Sequence, residues 1–397
     1  MTRPRTLMIV LAGGAGGRLE LLTEHRAKPA VPFGGSYRLI DVPLSNARHS
    51  GIEDVWVIEQ FHASSIADHL ANGRPWDLDR TQGGLLILHP EPAGEAGGWH
   101  RGTADALGRQ APLIRQFAPE HLVVVSADAV YRLDYDEVVR AHAASGADVT
   151  MVTTRRPIGE AGRYGVVRTD GGRITEYVYK PDEPATDLVA TEVFVFDPVR
   201  TLDLLDRIAA KAGDDGPGDL GDALLPALVR EATAREYRLE RYWRDVGTVP
   251  AYLSAHLELV AAEPPIRLDD PAWPMLTADT RHGAARVERG AEVVDALLAP
   301  GARVAGRVER CVLSPGAVVE PGARVADSVL LPGALVERGA RVTGAVVDSG
   351  ARIGAEARVD GSARDAEVVL VGAGAVVASG SAVAAGARVR ADEPSGA

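Results

Sequence analysis

The sequence predicts a protein of the α/β class with a second, all-β domain, because its two parts follow different residue patterns. Up to about residue 262, short β-branched runs alternate with longer helical ones, as in a mostly parallel sheet covered by helices. After residue 283 a Gly-Ala-x-Val unit recurs, which predicts a β-solenoid of hexapeptide repeats. A length of 397 residues also favours two domains over one.

Four apolar runs in the first part are predicted to form buried parallel strands. They are Leu7 to Leu11, Val55 to Ile58, Leu122 to Val125 and Val149 to Thr153. The loops after the first three are expected to converge at the carboxyl edge of the sheet, where open α/β sheets bind ligands. Tyr164 to Tyr179 is predicted to form a hairpin around Asp170-Gly171-Gly172.

A glycine-rich loop follows the first predicted strand. Glycines 13, 14, 16 and 17 allow successive N–H groups to point towards an anion, and a following helix is expected to add its positive end. Arg18, Arg26 and Lys28 come next in the chain. Three cations within so short a stretch suit a triphosphate better than the pyrophosphate of a dinucleotide.

Lysine is rare in this chain, with three lysines among 43 basic residues. Two of them stand in Lys28-Pro29 and Lys180-Pro181. A compact ammonium group fits a tight phosphate pocket that a planar guanidinium does not. Lys28 and Lys180 are therefore candidate phosphate ligands, whereas Lys211 lies in a polar stretch and is predicted to have no such role.

The repeated unit defines the second domain. It begins at Gly290, Gly301, Gly316, Gly322, Gly333, Gly339, Gly350, Gly374 and Gly386. Several of these glycines are 17 residues apart, close to three hexapeptides per turn, with small residues at tight corners and β-branched residues in the core. Disorder would not keep aliphatic residues in register. We predict a first, α/β domain over residues 1–262, a proline-rich linker over 263–283, the solenoid over 284–391 and a flexible tail over 392–397.

Composition excludes several classes of protein. A net charge of −12 argues against nucleic acid as a partner. Cys311 is the only cysteine, so no disulfide framework or cysteine metal site is expected. No apolar run approaches the roughly 20 residues of a membrane span, and the first apolar run leads into the glycine loop instead of a signal-peptide cleavage site. We expect a cytoplasmic protein that associates with neither nucleic acid nor membrane.

Several segments together resemble the glucose-1-phosphate adenylyltransferase family, the ADP-glucose pyrophosphorylases. They are Leu11 to Leu19, Arg26 to Gly35, Asp41 to Asn46, Trp99 to Ala106, Ala127 to Tyr131, Asp219 to Asp222 and Tyr242 to Thr248. The resemblance runs along the chain in order and includes the solenoid. It implies a Rossmann-like nucleotidyltransferase domain, a left-handed β-helix, Mg²⁺ as cofactor and a homotetramer. The implied reaction makes ADP-glucose and pyrophosphate from ATP and glucose 1-phosphate, for glycogen or another α-glucan.

The resemblance also implies roles for individual residues. Arg18, Lys28 and Asp128 would be catalytic, and Asp128 and Asp245 would bind the metal. The nucleotide-binding residues would be Leu11, Ala12, Gly13, Gly14, Gly16, Arg18, Lys28, Gly102 and Thr103. The sugar-phosphate-binding residues would be Tyr179, Lys180, Ala190, Glu192, Phe194, Asp219, Trp243 and Asp245. A structural reading stays open for two of them: Asp128 as a helix N-cap, and Asp245 as an ion-pair partner of Arg244.

The chain departs from the family pattern around the sugar. Tyr179 replaces a glutamate, and strand alternation puts Ala190, Glu192 and Phe194 on one face, where the family has serine, glycine and tyrosine. Leu220 replaces a phenylalanine. Our hypothesis is that Glu192 bonds to sugar hydroxyls, of glucose in a rearranged pose or of a different hexose. The alternative is that Glu192 faces solvent.

Other departures concern the base and the regulation. The family's Pro-Ala-Gln-Gln-Arg segment aligns with residues 90–93, which lack glutamine, so nucleotide choice is less firmly implied than reaction type. Ser36 replaces a lysine linked to effector binding, although Arg38 and Arg48 remain as anion ligands. Gly17 replaces a threonine, and His100 replaces a tyrosine and is assigned no chemistry.

Three other functions are compatible with parts of the sequence. A hexapeptide acyltransferase would need a histidine base in the solenoid, but the last histidine, His282, precedes the repeats. A regulatory paralogue would bind sugar phosphate with little turnover, although binding alone does not require two phosphate-binding lysines and two metal carboxylates. The third alternative is the same chemistry with another nucleotide or another hexose 1-phosphate.

Overall fold

The computed structural model describes residues 5–14, 16–90, 99–278, 281–362 and 367–391. Contacts within the chain group them into two units. The first unit comprises the described residues of Met1–Gly14, Val42–Ala127 and Tyr131–Trp243, and the second those of Ala15–Asp41, Asp128–Val130 and Arg244–Ala397. The domain boundaries after residues 262 and 283 stay predictions, and the tail over 392–397 lies outside the described residues.

A nine-stranded mixed sheet forms the centre of the first unit. The strands up to Asp245 are β1 (Thr6–Ala12), β2 (Pro32–Phe33), β3 (Tyr37–Arg38), β4 (Asp54–Glu59), β5 (Gly84–Leu88), β6 (His121–Ser126), β7 (Ala129–Tyr131), β8 (Val149–Arg155), β9 (Gly165–Asp170), β10 (Arg173–Tyr179), β11 (Leu188–Phe196), β12 (Ala234–Arg238) and β13 (Trp243–Asp245). The sheet order is β5-β4-β1-β6-β11-β8-β12-β10-β9. Neighbouring strands in β5-β4-β1-β6 and in β8-β12 are parallel, whereas β11 is antiparallel to both β6 and β8. The four predicted strands and the mostly parallel sheet are confirmed.

Helices alternate with these strands along the chain. They are α1 (Asp41–His49), α2 (Ala63–Leu70), α3 (Thr103–Arg109), α4 (Ala111–Phe117), α5 (Tyr135–Ser145), α6 (Ile158–Ala161), α7 (Pro198–Ala212), α8 (Leu225–Glu231) and α9 (Val249–Leu259). Asp134, Asp197 and Thr248 cap α5, α7 and α9, because each side chain accepts a hydrogen bond from an N–H in the first turn. Apolar side chains of α3, α7 and α8 join those of β1 and β6 in one buried core cluster.

The predicted hairpin between Tyr164 and Tyr179 is present in the structure. The hairpin is confirmed: β9 and β10 are antiparallel, and the turn residues Gly171 and Gly172 have φ of 54° and 77°, which glycine adopts without strain.

The predicted helix after the glycine loop is wrong. Gly17–Thr23 forms a 3₁₀ segment that is interrupted at Glu20, whose φ of 52° and ψ of −124° cannot continue a helix. No helix dipole therefore supports the loop at this point.

Strand β11 is confirmed, but its predicted alternation fails at Glu192. The register against β8 shifts between Ala190 and Phe194, and Glu192 has a φ of 60°. A β-bulge of this kind redirects the side chain at the extra residue. Ala190 and Phe194 lie in the buried core cluster, whereas Glu192 is half-buried.

The second unit contains a β-helix. Its strands are β14 (Arg286–Val287), β15 (Glu292–Leu298), β16 (Arg303–Val304), β17 (Arg307–Leu313), β18 (Val318–Val319), β19 (Arg324–Leu330), β20 (Leu335–Val336), β21 (Arg341–Thr343), β22 (Ala345–Val347), β23 (Arg352–Ile353), β24 (Arg358–Asp360), β25 (Val369–Val371), β26 (Val376–Val377), β27 (Ala382–Val383) and β28 (Arg388–Val389). Parallel partners such as Val319 and Val336 are one rung apart, and the valines stack in a buried core. Each of the nine repeat glycines has a φ between 66° and 85°, so the turns need glycine. The predicted β-helix of hexapeptide repeats is confirmed.

The segment before the β-helix has little regular structure. Between the end of α9 at Leu259 and the start of β14 at Arg286, the described residues form neither helix nor strand. Helix α9 packs against β17 and β19 within the second unit. None of the helices in the described part of the chain is both long and apolar enough to cross a membrane.

Candidate active site

Two basic and two acidic side chains from distant segments come together in the second unit. Lys28 begins the 3₁₀ turn Lys28–Ala30, and its Nζ lies 2.7 Å from the Oδ2 of Asp128. The Lys28 side chain is 9% exposed and that of Asp128 is 28% exposed, so the pair is partly accessible to a ligand. Asp128 follows β6 in the chain, as predicted. Asp245 ends β13, and the charges of Lys28 and Arg18 both act on its carboxyl group.

The two carboxyl groups influence each other. Burial raises the pKa of Asp245 above its usual value, and the negative charge of Asp128 raises it further. The positive charges of Lys28 and Arg18 and the N–H of Gly247 oppose this rise. A pair of neighbouring carboxylates that is balanced by cations is an arrangement suited to hard cations and phosphate groups.

Gly247 completes this cluster and was missed by the sequence analysis. Its N–H donates to the Oδ1 of Asp245 at 2.9 Å. A Cβ at this position would lie 2.9 Å from that oxygen, 3.1 Å from the Nη2 of Arg18 and 3.2 Å from the Nζ of Lys28. Only glycine leaves all three groups in place. The signal was present in the sequence, because this glycine follows Asp245 by two residues within a family-like motif.

The structure contains neither of the two structural alternatives, which were a helix N-cap at Asp128 and an ion pair between Asp245 and Arg244. Asp128 is followed by β7 and not by a helix, so it is not a helix N-cap. Arg244 donates to the Oγ of Ser254 at 3.1 Å and lies 3.7 Å from Glu258, both on α9, so it is directed away from Asp245.

Arg26 does not join the cluster, although the sequence suggested it as a third triphosphate ligand. Its Nη2 instead donates to the Oδ1 of Asp348 in the β-helix at 2.8 Å, and the Arg26 side chain is only 14% exposed while that of Asp348 is fully buried. A guanidinium that is buried against a carboxylate is held by that partner and is not presented to a substrate.

A pocket of about 240 Å³ lies in the first unit at the carboxyl ends of β1 and β4. Five of the predicted nucleotide-binding residues line it: Leu11, Gly13, Gly14, Gly102 and Thr103. Ala12 is buried in β1 and is not part of the lining. Gly16 belongs to the second unit, where a Cβ would lie 2.9 Å from the Cγ2 of Thr23 and 3.0 Å from the Cβ of Lys28.

Hydrogen bonds fix the polar wall of this pocket. The N–H and hydroxyl of Thr103 donate to the Oδ1 of Asp219 at 2.9 and 3.2 Å. Gly102 has a φ of 114°, and a Cβ there would lie 2.4 Å from the carbonyl of Gly218. The first turn of α3 therefore packs directly on the chain that carries Asp219.

Two lining residues, Gln60 and Phe61, were not identified from the sequence. The side-chain amide of Gln60 bonds to both the N–H (2.9 Å) and the carbonyl (3.2 Å) of His100. The ring of Phe61 stacks on that of Trp99 at 5.3 Å, and Trp99 is 59% exposed. Burial, together with the charge of Arg109, lowers the pKa of His100 below its usual value.

Lys180 lies in a separate group of charged and aromatic side chains in the first unit. Its Nζ donates to the hydroxyl of Tyr179 at 2.7 Å. Burial lowers the pKa of Lys180, but the bond to Tyr179 and the charges of Glu192 and Asp219 outweigh burial and raise it. Burial and the charge of Glu192 also raise the pKa of Tyr177. The charge of Glu192 thus acts on Lys180 and on two tyrosines, and Glu192 itself is half-buried.

The remaining sugar-site candidates are buried. Trp243 packs edge-to-face on Tyr164, with ring centroids 5.3 Å apart. The indole Nε1 of Trp243 is buried and has no hydrogen-bond partner among the described residues. Ala190 and Phe194 lie within the apolar core, with exposures of 2% and 4%, so they shape the wall behind the bulge at Glu192.

No metal site with three or more histidine, cysteine or acidic side chains exists in the described part of the chain. Asp128 and Asp245 are two neighbouring carboxylates, and a divalent cation held mostly by phosphate oxygens and water needs only one or two such ligands from the protein.

Comparison with known proteins agrees with this geometry. Residues 7–262 match the family model described as nucleotidyl transferase, and residues 279–378 match the model described as GlmU-like, C-terminal hexapeptide. A glucose-1-phosphate adenylyltransferase from Thermotoga neapolitana is 39% identical over 313 residues, which cover 78% of this chain and 73% of the relative. Those from Acetivibrio thermocellus and Clostridium acetobutylicum are each 33% identical, over 83% and 80% of this chain and 78% and 84% of the relatives.

The chain belongs to the glucose-1-phosphate adenylyltransferase family of nucleotidyl transferases. The predicted family resemblance is confirmed, and the chain is an enzyme of the nucleotidyltransferase class. The nucleotidyl transferase match includes every site residue predicted from the sequence. In this member of the family, the β-helix follows the nucleotidyl transferase domain along the chain.

Proposed function

We propose that this chain makes ADP-glucose and pyrophosphate from ATP and glucose 1-phosphate, as the names of its relatives indicate for those proteins. The observation that carries the proposal is the cluster of Arg18, Lys28, Asp128 and Asp245. Cations and carboxylates from distant segments are brought to one place, which a structural role alone does not require. Phosphoryl-transfer sites need this combination, because catalysis there is mainly positioning and charge stabilisation.

Each group has a distinct proposed role. Lys28 and Arg18 bind the triphosphate, the first as a point charge and the second as a planar fork. The pocket beside Gly13, Gly14 and Thr103 holds the nucleoside. Lys180 binds the phosphate of the sugar phosphate, and Asp219 and Trp243 line the sugar.

The reaction itself needs no nucleophilic side chain. An oxygen of the sugar phosphate attacks the α-phosphorus of ATP and forms a new P–O bond. The bond from the α-phosphorus to the bridging oxygen breaks, and pyrophosphate leaves with the bonding electron pair. Lys28 and Arg18 stabilise the charge that develops on the leaving pyrophosphate. Together with Lys180 they hold the triphosphate and the sugar phosphate, two anions that otherwise repel each other.

Mg²⁺ fits the residues present. Asp128 and Asp245 are oxygen ligands of the kind that Mg²⁺ prefers, and the charge of Asp128 raises the pKa of Asp245, an effect that a neighbouring divalent cation reverses. When bound, Mg²⁺ neutralises charge on the phosphate oxygens. Asp128 and Asp245 would hold it, while the ammonium of Lys28 stays available to the triphosphate.

A pyrophosphate-release assay tests the proposal. The assay combines four nucleoside triphosphates with several sugar 1-phosphates in the presence of Mg²⁺. We expect the highest kcat/KM for ATP with glucose 1-phosphate. A folded protein that binds glucose 1-phosphate but releases no pyrophosphate with any pair would be the regulatory paralogue, and the proposal would be wrong.

The position of Glu192 favours a second candidate, the same chemistry with a different hexose 1-phosphate. Its carboxylate lies close to Lys180 and Tyr179, where the family pattern has no acid at the corresponding position. The assay therefore includes a hexosamine 1-phosphate, whose ammonium group would pair with a carboxylate. Glu192→Gly should change the ratio of kcat/KM values between sugars, and an unchanged ratio for all sugars rules out this role.

We further propose that the protein is a cytoplasmic homotetramer, from its family resemblance. Sedimentation velocity of the full chain measures the assembly, with a tetramer expected and a monomer contradicting the proposal. Of the residues linked to effector binding, Ser36 lines a separate cavity of about 490 Å³ in the second unit, and Arg48 lies 3.5 Å from Asp77.

A further inference from the structure

A buried ion pair joins the segment that carries Lys28 to the β-helix. The Arg26 and Asp348 side chains are 14% and 0% exposed and meet at 2.8 Å. The Nη1 of Arg26 and the Oδ2 of Asp348 are also buried, with no hydrogen-bond partner among the described residues. Removal of either partner therefore leaves the other charge buried and uncompensated, which disturbs a structure far more than loss of an exposed pair.

Asp348 is fixed by its place in the β-helix. It directly follows β22, its N–H donates to the carbonyl of Val371 at 2.8 Å, and its carbonyl accepts from Ala351 at 3.0 Å. Its Oδ1 also accepts from the N–H of Ser349 at 2.5 Å. Arg26 is thus bound to a carboxylate on a rigid element, which is the kind of support that holds a functional side chain accurately.

A second buried contact fixes the other end of the same segment. Tyr252 on α9 donates its hydroxyl to the carbonyl of Pro32. Burial raises the pKa of Tyr252 well above its usual value, as does the charge of Asp348, so the hydroxyl keeps its proton and remains a donor. Lys28 lies between these two anchors, at Arg26 and Pro32.

Two exposed ion pairs also join this region to the last rung of the β-helix. Arg390 lies 2.8 Å from Glu24, and the Nη2 of Arg388 donates to the Oε1 of Glu20 at 3.0 Å. Solvent and salt screen exposed pairs, so each contributes little. Among these three ion pairs, the buried pair is therefore the one expected to contribute most to the position of the segment.

We propose that Asp348 is a positioning residue for nucleotidyl transfer, because through Arg26 it holds Lys28 where Lys28 meets the triphosphate. The inference rests on the proposed function of Lys28. It gives the β-helix a part in nucleotide binding in addition to its structural role. Asp348 itself touches no substrate in this account.

The test measures ATP and sugar phosphate separately on full-length Asp348→Asn. Calorimetry gives the affinity for ATP without sugar phosphate, and steady-state kinetics give the KM of each substrate. We expect ATP binding to weaken at least tenfold, while the KM of glucose 1-phosphate stays within twofold. A general loss of structure would not separate the two substrates in this way.

Asp327→Asn is the control for loss of an aspartate–arginine pair elsewhere in the β-helix. Asp327 accepts two hydrogen bonds from Arg310, at 2.7 and 2.6 Å, and is more exposed than Asp348. We expect its ATP affinity within twofold of wild type. An equal effect of the two substitutions would show that Asp348 has only a structural role.

Other outcomes of these measurements also test the role of Asp348. ATP affinity within twofold of wild type in folded Asp348→Asn overturns the inference, as does equal weakening of both substrates. If that variant does not fold, Asp348→Glu replaces it, with ATP binding expected to weaken about threefold and unchanged binding contradicting the inference. Absence of pyrophosphate release by the wild type would instead contradict the proposed function, and the ATP-binding comparison would still measure the role of Asp348.

Discussion

The two groups of candidate site residues are held by different kinds of contact. Lys28 and Asp128 are 100 residues apart in sequence and meet in a 2.7 Å ion pair, with Arg18 and Asp245 acting on the same place. Lys180 bonds to its sequence neighbour Tyr179. The first group needs several segments in position at once, whereas the centre of the second lies on one hairpin edge and one bulge, with the charge of Asp219 acting on the same place.

The departures from the family pattern around the sugar coincide with this difference. The departures around the sugar, Tyr179 and Glu192 among them, fall in the locally built group, whereas Lys28, Asp128 and Asp245 keep the implied residue types. A long-range charge cluster tolerates few replacements, because every member compensates the others. In the proposed function, the first group therefore acts in the transfer reaction and the second acts on the sugar phosphate.

The largest effect is expected from breaking the long-range group at Asp128. Asp128→Asn removes the partner of Lys28 and one of the two metal carboxylates, so kcat should fall by about 10²–10³-fold. Pyrophosphate release at saturating Mg²⁺ measures it. A matched substitution at an exposed acid outside both groups, Asp203→Asn, should leave kcat within twofold, and a loss below tenfold at Asp128 would contradict its assignment.

Acid should destabilise both units, because each contains a buried neutral histidine. His256 donates from Nδ1 to Tyr252 and accepts from the N–H of Gly34, and burial lowers its pKa to about 4. Burial and the neighbouring His121 lower the pKa of His142 to about 4 as well. Their usual pKa is 6.5, so stability is complete above about pH 6.5 and is lost as the pH falls towards 4, by up to about 3 kcal/mol for each group.

Urea unfolding between pH 7.5 and pH 4.5 measures this loss. His256→Gln keeps one donor and one acceptor without the titration, so its stability should depend less on pH than that of the wild type. His142→Gln should do the same for the first unit. An unchanged pH dependence in both variants would show that other groups cause the acid sensitivity.

Lys180→Ala tests the second group, which we assign to the sugar phosphate. The KM of glucose 1-phosphate should rise about tenfold or more because one charged phosphate contact is lost, while the KM of ATP stays within twofold. Initial rates over a grid of both substrate concentrations measure the two constants. Equal rises in both KM values would mean that Lys180 does not distinguish the substrates.

A smaller effect is expected at Gly247. The Cβ of Gly247→Ala would lie against the charged ends of Asp245, Arg18 and Lys28. These ends can move, so the melting temperature should change by less than about 2 °C, but their displacement should lower kcat about tenfold. Gly159→Ala, where nothing lies within 4 Å of the new Cβ, is the control and should change neither quantity.

Much of the fold could be predicted because its signals are local. The parallel strands, the Gly171–Gly172 hairpin and the repeat turns each follow from short patterns of apolar residues and glycines. The interruption at Glu20 and the bulge at Glu192 were not predictable in this way, because a single positive φ in a non-glycine residue leaves no periodic signal.

The candidate site also contains residues with a local sequence signal and residues without one. Lys28 and Asp128 were found because lysine is rare and because Asp128 follows a strand at the ligand-binding edge. The Arg26–Asp348 pair was missed, since 322 residues separate its members and arginine is common in this chain. Contacts between distant segments depend on the finished fold, and a single sequence does not display them.

The most direct test of the account compares two lysines. Lys28→Ala removes the ammonium that we assign to the triphosphate, whereas Lys211→Ala removes one near the end of α7, outside both groups. Pyrophosphate release from ATP and glucose 1-phosphate should fall at least 10²-fold in the first variant and stay within twofold of wild type in the second. Near-wild-type release by a folded Lys28→Ala protein would contradict the claim that this cluster is the reaction centre.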